Sequence, residues 1–176
     1  MNPLRRALLF CWVLAALPRA VLAAPTWPDI KRLIQARFAG VAHIDKTRLH
    51  TWPAQTPVLL LDVRAAHEFA LSHVHTAVHT PTLTQAHNAV QHFRATAPQG
   101  AVVLYCSVGY RSAHMAQALR RQGVTAVYNL EGGIFEWANA NLPVVQGRQR
   151  AQFVHPFDKH WGGLLRADLH PPQQPY

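Results

Sequence analysis

The chain contains little cysteine: its 176 residues include two, Cys11 and Cys106. Cys11 lies in an N-terminal segment that is typical of a removable export signal, so the mature chain would retain one thiol. One thiol cannot form a disulfide within the chain, which excludes a fold that depends on disulfide bonds. In an oxidising compartment a free thiol is either buried or used in chemistry, and Cys106 is therefore the first candidate for a functional residue.

Long hydrophobic runs are also scarce. Arg5 and Arg6 precede an apolar stretch at residues 7–17, which Pro18 ends, and residues 21–23 provide a site for a signal peptidase. We predict that residues 1–23 form a signal peptide and that the protein is exported, most simply to a bacterial periplasm. The apolar stretch is short for a bilayer, so we expect no membrane association after cleavage, with an uncleaved anchor as the alternative.

Acidic residues number only 8, against 17 lysines and arginines. Loss of the signal peptide removes three arginines and lowers the formal net charge from +9 to +6. The remaining basic residues are scattered, with no run longer than two, which argues against a nucleic-acid partner. We interpret the charge as a source of solubility and of mild attraction for small anions.

Short apolar runs alternate with amphipathic segments along the rest of the chain. Residues 58–61 and 101–105 are continuous apolar runs, which are typical of buried parallel strands. The alternation predicts an α/β fold with a mainly parallel central sheet of about five strands and helices on both faces. The other predicted strands are residues 41–44, 76–80 and 126–130, and the main predicted helices are residues 65–71, 82–93, 113–122 and 133–137.

Four segments follow from this pattern: the signal peptide (1–23), a helical lead-in (24–40), an α/β domain (41–145) and a tail (146–176). In the lead-in, we expect one helix face to be buried. The tail is rich in His, Pro, Gln and Arg and either wraps the domain or is partly disordered. The residues expected on the buried face of the lead-in helix are Ile30, Leu33, Ile34 and Phe38.

Cys106 lies where a strand is expected to end and a helix to begin. Backbone N–H groups and the positive end of the helix then face the sulfur, which stabilises a thiolate and binds an anion beside it. The sequence thus predicts a nucleophilic cysteine and an anionic substrate, with an inert core cysteine as the alternative. The predicted substrate-binding loop comprises Ser107, Val108, Gly109, Tyr110, Arg111 and Ser112.

Four motifs occur in a fixed order along the chain. They are Leu61-Asp62-Val63-Arg64 with Glu68-Phe69; Ser72-His73-Val74 with Ala77-Val78 and Pro81; the Cys106 loop; and Asn129-Leu130-Glu131-Gly132-Gly133 with Trp137. With these motifs, residues 41–145 resemble the single-domain rhodanese (thiosulfate sulfurtransferase-like) family. The sequence departs from the family pattern at Ser72, His75 and Thr76, where Gly, Pro and Gly are more common.

The resemblance implies a covalent reaction at Cys106. Its thiolate would take the outer sulfur of a donor such as thiosulfate, carry it as a persulfide, and pass it to cyanide or a small thiol. Neither a metal nor an organic cofactor is required. Arg111 would hold the anionic end of the donor or, alternatively, pair within the loop. The Ser112 hydroxyl would bond the sulfur or cap the helix.

Asp62 and Arg64 are expected to support the site rather than to react. Arg64 and Glu68 lie four residues apart and are expected to pair on a short helix, while Asp62 braces the edge of the loop. His73, His75 and His79 raise the question of a metal site, with His73 and His75 on one face of a strand. No carboxylate or cysteine accompanies them at ligand spacing, and we expect no metal there.

Two alternatives come from other functional classes. A cysteine phosphatase or arsenate reductase would also use a cysteine loop, but tyrosine-phosphatase loops have five residues between Cys and Arg, and this loop has four. No aspartate is placed as a general acid for a leaving oxygen. The other alternative is an exported module that carries sulfur or binds a partner without turnover.

Overall fold

The structure is a computed structural model that describes residues 26–53 and 55–172. The predicted signal peptide, including Cys11, lies outside the described residues, and export stays a prediction. Within the described ranges, no helix is long and apolar enough to cross a membrane. In chain order the elements are α1 (Trp27–Arg37), β1 (Ala42–Ile44), α2 (Lys46–His50), β2 (Val58–Asp62), α3 (Ala66–Leu71), β3 (His73–Val74), β4 (Val78–His79), α4 (Leu83–Thr96), β5 (Ala101–Tyr105), α5 (Tyr110–Arg121), β6 (Val127–Leu130), α6 (Gly133–Asn139), β7 (Val144–Gln146), β8 (Gln149–Ala151) and α7 (Lys159–Gly162), followed by a 3₁₀ turn at Ala167–Leu169.

Five strands form a parallel central sheet in the order β1-β6-β5-β2-β4. All five residues of the middle strand, β5, are buried, as its continuous apolar sequence predicts. Helices pack around the sheet: α5 contacts β5, β6 and α4, and α2 contacts α6. The predicted α/β fold is therefore confirmed. Because β5 lies in the middle, its carboxyl end opens at the centre of the sheet edge where such folds place their sites.

Local signals set the ends of several helices. Asp45 caps α2, because its side chain accepts the Arg48 N–H at 2.7 Å. In α1, Ile30 and Ile34 are buried, but Leu33 is 55% exposed, so its predicted burial is wrong. Leu33 lies about 100° around the helix from Ile34, beyond the buried stripe.

The turn before β4 differs from its prediction. The strand expected at residues 76–80 is reduced to Val78–His79, because Thr76 adopts φ +67°, in the left-handed region that favours glycine. Thr76 is one of the positions where the resembled family more often has glycine. The turn nevertheless closes through the Ala77 N–H, which donates to the Val74 carbonyl at 3.0 Å.

A second, antiparallel sheet of β3, β7 and β8 was not predicted. Its strands have two or three residues each, too few to show a sequence period. The chain after β8 packs back onto the domain, with Val154 and Leu165 buried in the core. As far as residue 172, the tail therefore wraps the domain, which was one of its two predicted forms.

Candidate active site

Cys106 follows β5 directly and precedes α5. Its side chain is buried, and its Sγ accepts a hydrogen bond from the Gly109 N–H at 3.2 Å. Gly109 has φ +103° and caps α5, which therefore begins at Tyr110 rather than at the predicted residue 113. A side chain at Gly109 would meet the Leu130 carbonyl at 3.2 Å. The tight turn places the sulfur at the positive end of a 12-residue helix.

The first turn of α6 holds the cysteine loop from behind. The Ile134 N–H donates to the Cys106 carbonyl at 2.9 Å, and the Phe135 N–H donates to the Ser107 carbonyl at 3.1 Å. These bonds turn the loop carbonyls toward α6. Gly133 makes the approach possible, because it has φ +51° and a Cβ there would lie 2.2 Å from the Cys106 carbonyl oxygen.

Arg111 and Glu68 form a two-bond ion pair beside the sulfur. Arg111 Nη1 donates to Oε2 and Nη2 to Oε1 of Glu68, both at 2.9 Å, and Nη2 also reaches Ser107 Oγ at 3.0 Å. Ser107 in turn donates to Glu68 Oε1 at 3.1 Å. The predicted Arg64–Glu68 pair is wrong, because Glu68 points at the cysteine loop. Pairing within the loop region is thus one role of Arg111, as the sequence left open.

The charges in this cluster stabilise one another. Burial raises the pKa of Glu68, but the hydrogen bonds and charge of Arg111 outweigh it and lower the pKa from 4.5 to about 2. Burial lowers the pKa of Arg111, but Glu68 and Cys106 together raise it above its ordinary value. Both side chains are therefore charged across the physiological range.

Asp62 and Arg64 form a separate, fully buried pair. Arg64 Nη2 donates to Asp62 Oδ2 at 2.7 Å and to the Ser72 carbonyl at 2.6 Å. Burial lowers the pKa of Arg64, but Asp62 raises it further, so the net shift is upward. Neither residue lines the cavity at Cys106. Their place between β2 and the turn at Ser72 makes them structural supports of the sheet edge.

The Ser112 hydroxyl bonds elsewhere than the sulfur. It donates to Asn129 Oδ1 at 2.7 Å, and Asn129 Nδ2 lies 3.2 Å from His43 Nδ1. Ser112 therefore ties α5 to β6 and does not line the cavity. The Ser112 hydroxyl therefore neither contacts the sulfur nor caps α5, as the sequence had suggested, but connects α5 to β6.

The histidines near β3 do not converge on a common point. His73 and His79 stack on the ring of Phe69, with ring centroids 3.9 and 4.8 Å away. His79 Nε2 lies 2.9 Å from the Arg64 carbonyl, and His75 is exposed. In residues 26–53 and 55–172, no three His, Cys, Asp or Glu side chains are grouped as metal ligands.

A cavity of about 100 Å³ lies against Cys106. Two of its walls come from the C-terminal segment, which the sequence did not connect with the site. Phe157 covers the Arg111 guanidinium at 4.5 Å from its ring centroid, and Trp161 stands beside it. The residues lining the cavity are Cys106, Ser107, Val108, Tyr110, Arg111, Phe157 and Trp161.

The parallel sheet and the cysteine loop at a helix N-terminus define a class of α/β proteins that present a cysteine at the centre of the sheet edge. Within that class, the chain belongs to the rhodanese-like domain family, whose model matches residues 45–140. This match includes the Cys106 loop, Glu68 and the glycines at the start of α6. The predicted family resemblance is confirmed.

Individual relatives agree with this assignment. The chain is 33% identical over 102 residues to the thiosulfate sulfurtransferase GlpE of Vibrio cholerae, covering 58% of this chain and 92% of that protein. It is 35% identical over 106 residues to a sulfurtransferase of Allochromatium vinosum, covering 60% and 95%. An uncharacterized protein of Bacillus subtilis, YqhL, is 40% identical over 78 residues, which are 44% of this chain and 59% of that protein.

A solved structure matches in fold. It is a thiosulfate sulfurtransferase from Pseudomonas aeruginosa, with a TM-score of 0.56 and 19% identity. The match covers 75% of this chain and 25% of that chain. At this identity the likeness establishes the fold alone.

The Glu68 ion pair makes the stability of the protein depend on acid pH. Because the folded-state pKa of Glu68 lies below its ordinary value, the pair stabilises the fold fully above pH 4.5 and is lost as the pH falls toward about 2. At about 1.4 kcal/mol per pKa unit the shift corresponds to roughly 3 kcal/mol, which we reduce to about 2 kcal/mol for the one-third exposure of Arg111. We expect Glu68→Gln to lower the free energy of unfolding in urea by about this amount near neutral pH, and by progressively less at acid pH.

Glu131→Gln is the matched control, because the Glu131 side chain accepts a hydrogen bond from Gln35 at the surface and not from an arginine of the cysteine loop. We expect this control to leave the acid dependence of unfolding as in the native chain. A Glu68→Gln deficit that stays constant from neutral pH to the acid limit of folding would contradict the assignment of the pair as a charged one.

Proposed function

We propose that the protein is a sulfurtransferase that moves sulfane sulfur from a small anionic donor, such as thiosulfate, to a thiophilic acceptor through a persulfide on Cys106. The observation that carries this proposal is the Gly109 N–H at 3.2 Å from Cys106 Sγ, at the N-terminus of α5. A thiolate or persulfide gains most from that position. The names of the Vibrio cholerae and Allochromatium vinosum relatives support the same chemistry.

The proposed reaction has two displacement steps. The Cys106 thiolate attacks the outer sulfur of thiosulfate; a Cys106–sulfur bond forms, the sulfur–sulfur bond of the donor breaks, and sulfite leaves with its electron pair. An acceptor such as cyanide or a small thiol then attacks the outer sulfur of the persulfide. Thiocyanate or a new persulfide leaves, and the Cys106 thiolate is restored.

The loop residues have distinct roles in this scheme. Gly109 donates its N–H to Cys106 Sγ and thereby stabilises the attacking thiolate. Arg111 provides a positive charge on the cavity wall, and Glu68 fixes its guanidinium plane. Both steps transfer a neutral sulfur atom between anions, so a fixed cation and a helix N-terminus stabilise the anionic sulfur throughout without reorganising.

The phosphatase alternative lacks a proton donor at the site. Of the described residues that line the cavity, none is a carboxylic acid, and Glu68 behind it is held by Arg111. A leaving alkoxide or phenoxide therefore has no aspartate to protonate it. The cavity of about 100 Å³ also suits a small sulfur oxyanion better than an aryl phosphate.

The experiment that tests the proposal measures thiocyanate released from thiosulfate and cyanide by the purified chain. We expect ping-pong kinetics, in which raising one substrate increases the apparent kcat and the apparent KM for the other by the same factor, so that double-reciprocal plots are parallel. Hydrolysis of an aryl phosphate without thiocyanate release would support the phosphatase alternative. A persulfide that forms but is not passed on would support a sulfur-carrying module without turnover.

Arg111 variants separate donor binding from the chemistry. Arg111→Ala removes the charge, and we expect kcat/KM for thiosulfate to fall about 100-fold, mostly through KM, since charge-assisted hydrogen bonds contribute about 1.5–3 kcal/mol each. Arg111→Lys keeps the charge but loses the two-bond pair with Glu68, and we expect about a 10-fold loss. Steady-state kinetics with varied thiosulfate measures both.

Arg120→Ala is the control for the loss of an arginine from α5. Arg120 is exposed in the last turn of the same helix, far from the sulfur. We expect its kinetics to match those of the native chain. A normal KM for thiosulfate in Arg111→Ala would contradict a binding role for this residue.

A further inference from the structure

The segment that covers Cys106 is anchored at both ends. We define residues 155–161 as the cover loop. Before it, Val154 is fully buried and its N–H donates to the Leu169 carbonyl at 2.9 Å. After it, Leu165 is buried, and Asn139 Nδ2 donates to the Leu164 carbonyl at 2.8 Å. The cover loop is therefore a strap fixed to the domain on both sides of the site.

Contacts within the cover loop hold Phe157 in place. Phe157 has φ +70°, a conformation that is costly for a residue with a side chain and persists only where the surroundings impose it. Its N–H donates to His155 Nδ1 at 3.0 Å, and His155 contacts the His67 ring at 4.9 Å. Burial lowers the pKa of His155 more than the Glu68 charge raises it, which keeps this ring nitrogen an acceptor.

The other end of the cover loop is fixed by a helix cap. Asp158 accepts the Trp161 N–H at 2.8 Å and thereby starts α7. This bond places the Trp161 side chain on the cavity, opposite the loop that carries Cys106. Phe157 and Trp161 are thus two aromatic walls held in position by different parts of the same strap.

The narrow space over Cys106, which is partly open to solvent beside the 41%-exposed Phe157, sets a size limit. Cys106 is 1% exposed, and the cavity of about 100 Å³ has room for about three water molecules at roughly 30 Å³ each. Thiosulfate, sulfite, cyanide and hydrosulfide fit within that space. A tripeptide thiol does not fit as a whole, and the thiol of a folded protein would have to displace Phe157 and Trp161 to reach the sulfur.

We propose that the cover loop restricts Cys106 to sulfur donors and acceptors that are small, non-protein molecules, with Phe157 and Trp161 as the residues that set this limit. The inference rests on the proposed sulfur transfer and adds the substrate class to it. Removing either ring opens the site to bulkier partners, because the remaining walls come from the cysteine loop and the first turn of α5 and do not fill the space the ring leaves.

Alkylation of Cys106 tests the cover independently of sulfur transfer. The probes are N-ethylmaleimide and a pyrenyl maleimide, which share the reactive group and differ in bulk. The measured quantity is the alkylation rate with the pyrenyl maleimide divided by the rate with N-ethylmaleimide. This ratio for the folded protein is normalised to the same ratio for the urea-unfolded chain. Peptide mapping confirms that the label is on Cys106. A bulky probe must wait for local opening of the cover loop. We therefore expect the ratio for the folded protein to be at least about 10-fold lower than the ratio for the unfolded chain.

Phe157→Gly and Trp161→Ala are the test variants. Glycine relieves the positive φ at position 157, so that variant removes the ring with the least risk of unfolding. We expect either variant to raise the normalised ratio about 10-fold. Trp52→Ala is the matched control, because Trp52 lines a different cavity, and we expect it to leave the ratio unchanged. A native ratio equal to that of the unfolded chain, or variant ratios equal to the native ratio, would overturn the proposal.

A turnover experiment separates this inference from the proposed function. The acceptors are cyanide and reduced thioredoxin, with thiosulfate as donor. We expect the native chain to use cyanide and the two variants to gain activity with thioredoxin relative to cyanide. If the native chain used both acceptors equally, the cover inference would fail while sulfur transfer stood. If no acceptor were used, sulfur transfer would fail and the alkylation ratios would still decide the role of the cover.

Discussion

Cys106→Ser is expected to lower thiocyanate formation from thiosulfate by about 10⁴-fold or more, the largest effect on activity of any single change. Serine nearly matches cysteine in size, so the buried position and the Gly109 contact are retained. A hydroxyl is not ionised at neutral pH and cannot carry a sulfane sulfur, which removes the first displacement step. Initial rates with saturating thiosulfate and cyanide measure the loss.

Cys11→Ser, made in the full 176-residue chain with its N-terminal segment retained, is the control for the loss of a thiol. Cys11 belongs to the predicted signal peptide, and we expect its replacement to leave the rate unchanged. The unfolding transition of Cys106→Ser shows whether the fold is intact. Turnover by a folded Cys106→Ser protein at more than a few per cent of the native rate would contradict a persulfide on this residue.

Gly133→Ala is expected to produce the largest loss of stability, about 3–5 kcal/mol, because two penalties coincide. The residue has φ +51°, and a Cβ there would lie 2.2 Å from the Cys106 carbonyl oxygen and 2.7 Å from that of Ser107. Both obstacles are backbone atoms of the cysteine loop, which cannot move without breaking their bonds to α6. We expect a lower midpoint of unfolding in urea and, in the protein that remains folded, impaired sulfur transfer.

Gly123→Ala separates backbone strain from the clash. Gly123 has φ +85°, but a Cβ there would meet no atom within 4 Å. We expect this control to cost about 1 kcal/mol and to leave the rate of sulfur transfer unchanged. Equal losses of stability in the two variants would mean that the contact between α6 and the cysteine loop is not what Gly133 provides.

The parts of the structure that were predictable are those encoded locally. The apolar run at residues 101–105 gave the buried central strand, and the spacing after it gave the cysteine loop and a helix that begins close behind. In each case neighbouring residues carry the whole signal.

The parts that were missed depend on pairs far apart in sequence. Glu68 was assigned to Arg64 because the two are close along the chain, yet it pairs with Arg111, 43 residues away. The choice follows from the fold: Asp62 already occupies Arg64, and α3 aims Glu68 at the loop. The available signal was that Arg64 has a second acidic neighbour, Asp62, which leaves Glu68 free to pair with Arg111 of the cysteine loop.

The cover loop shows a further limit of sequence reasoning. Residues 155–161 have no clear helical or strand period, and their composition is as typical of a disordered tail as of an ordered strap. Their order comes from anchors that precede and follow them, at Val154 and Leu165. Two aromatic residues in this segment, Phe157 and Trp161, were the only local hint that it packs against something.

The most direct test of the central claim is the intact mass of the purified chain after exposure to thiosulfate alone, followed by removal of the excess donor. A persulfide mechanism requires a gain of one sulfur atom, located on Cys106 by peptide mapping and lost on addition of cyanide with release of thiocyanate. A chain that is folded, has a free Cys106 thiol and gains no sulfur from thiosulfate or another sulfane donor would contradict the proposed function.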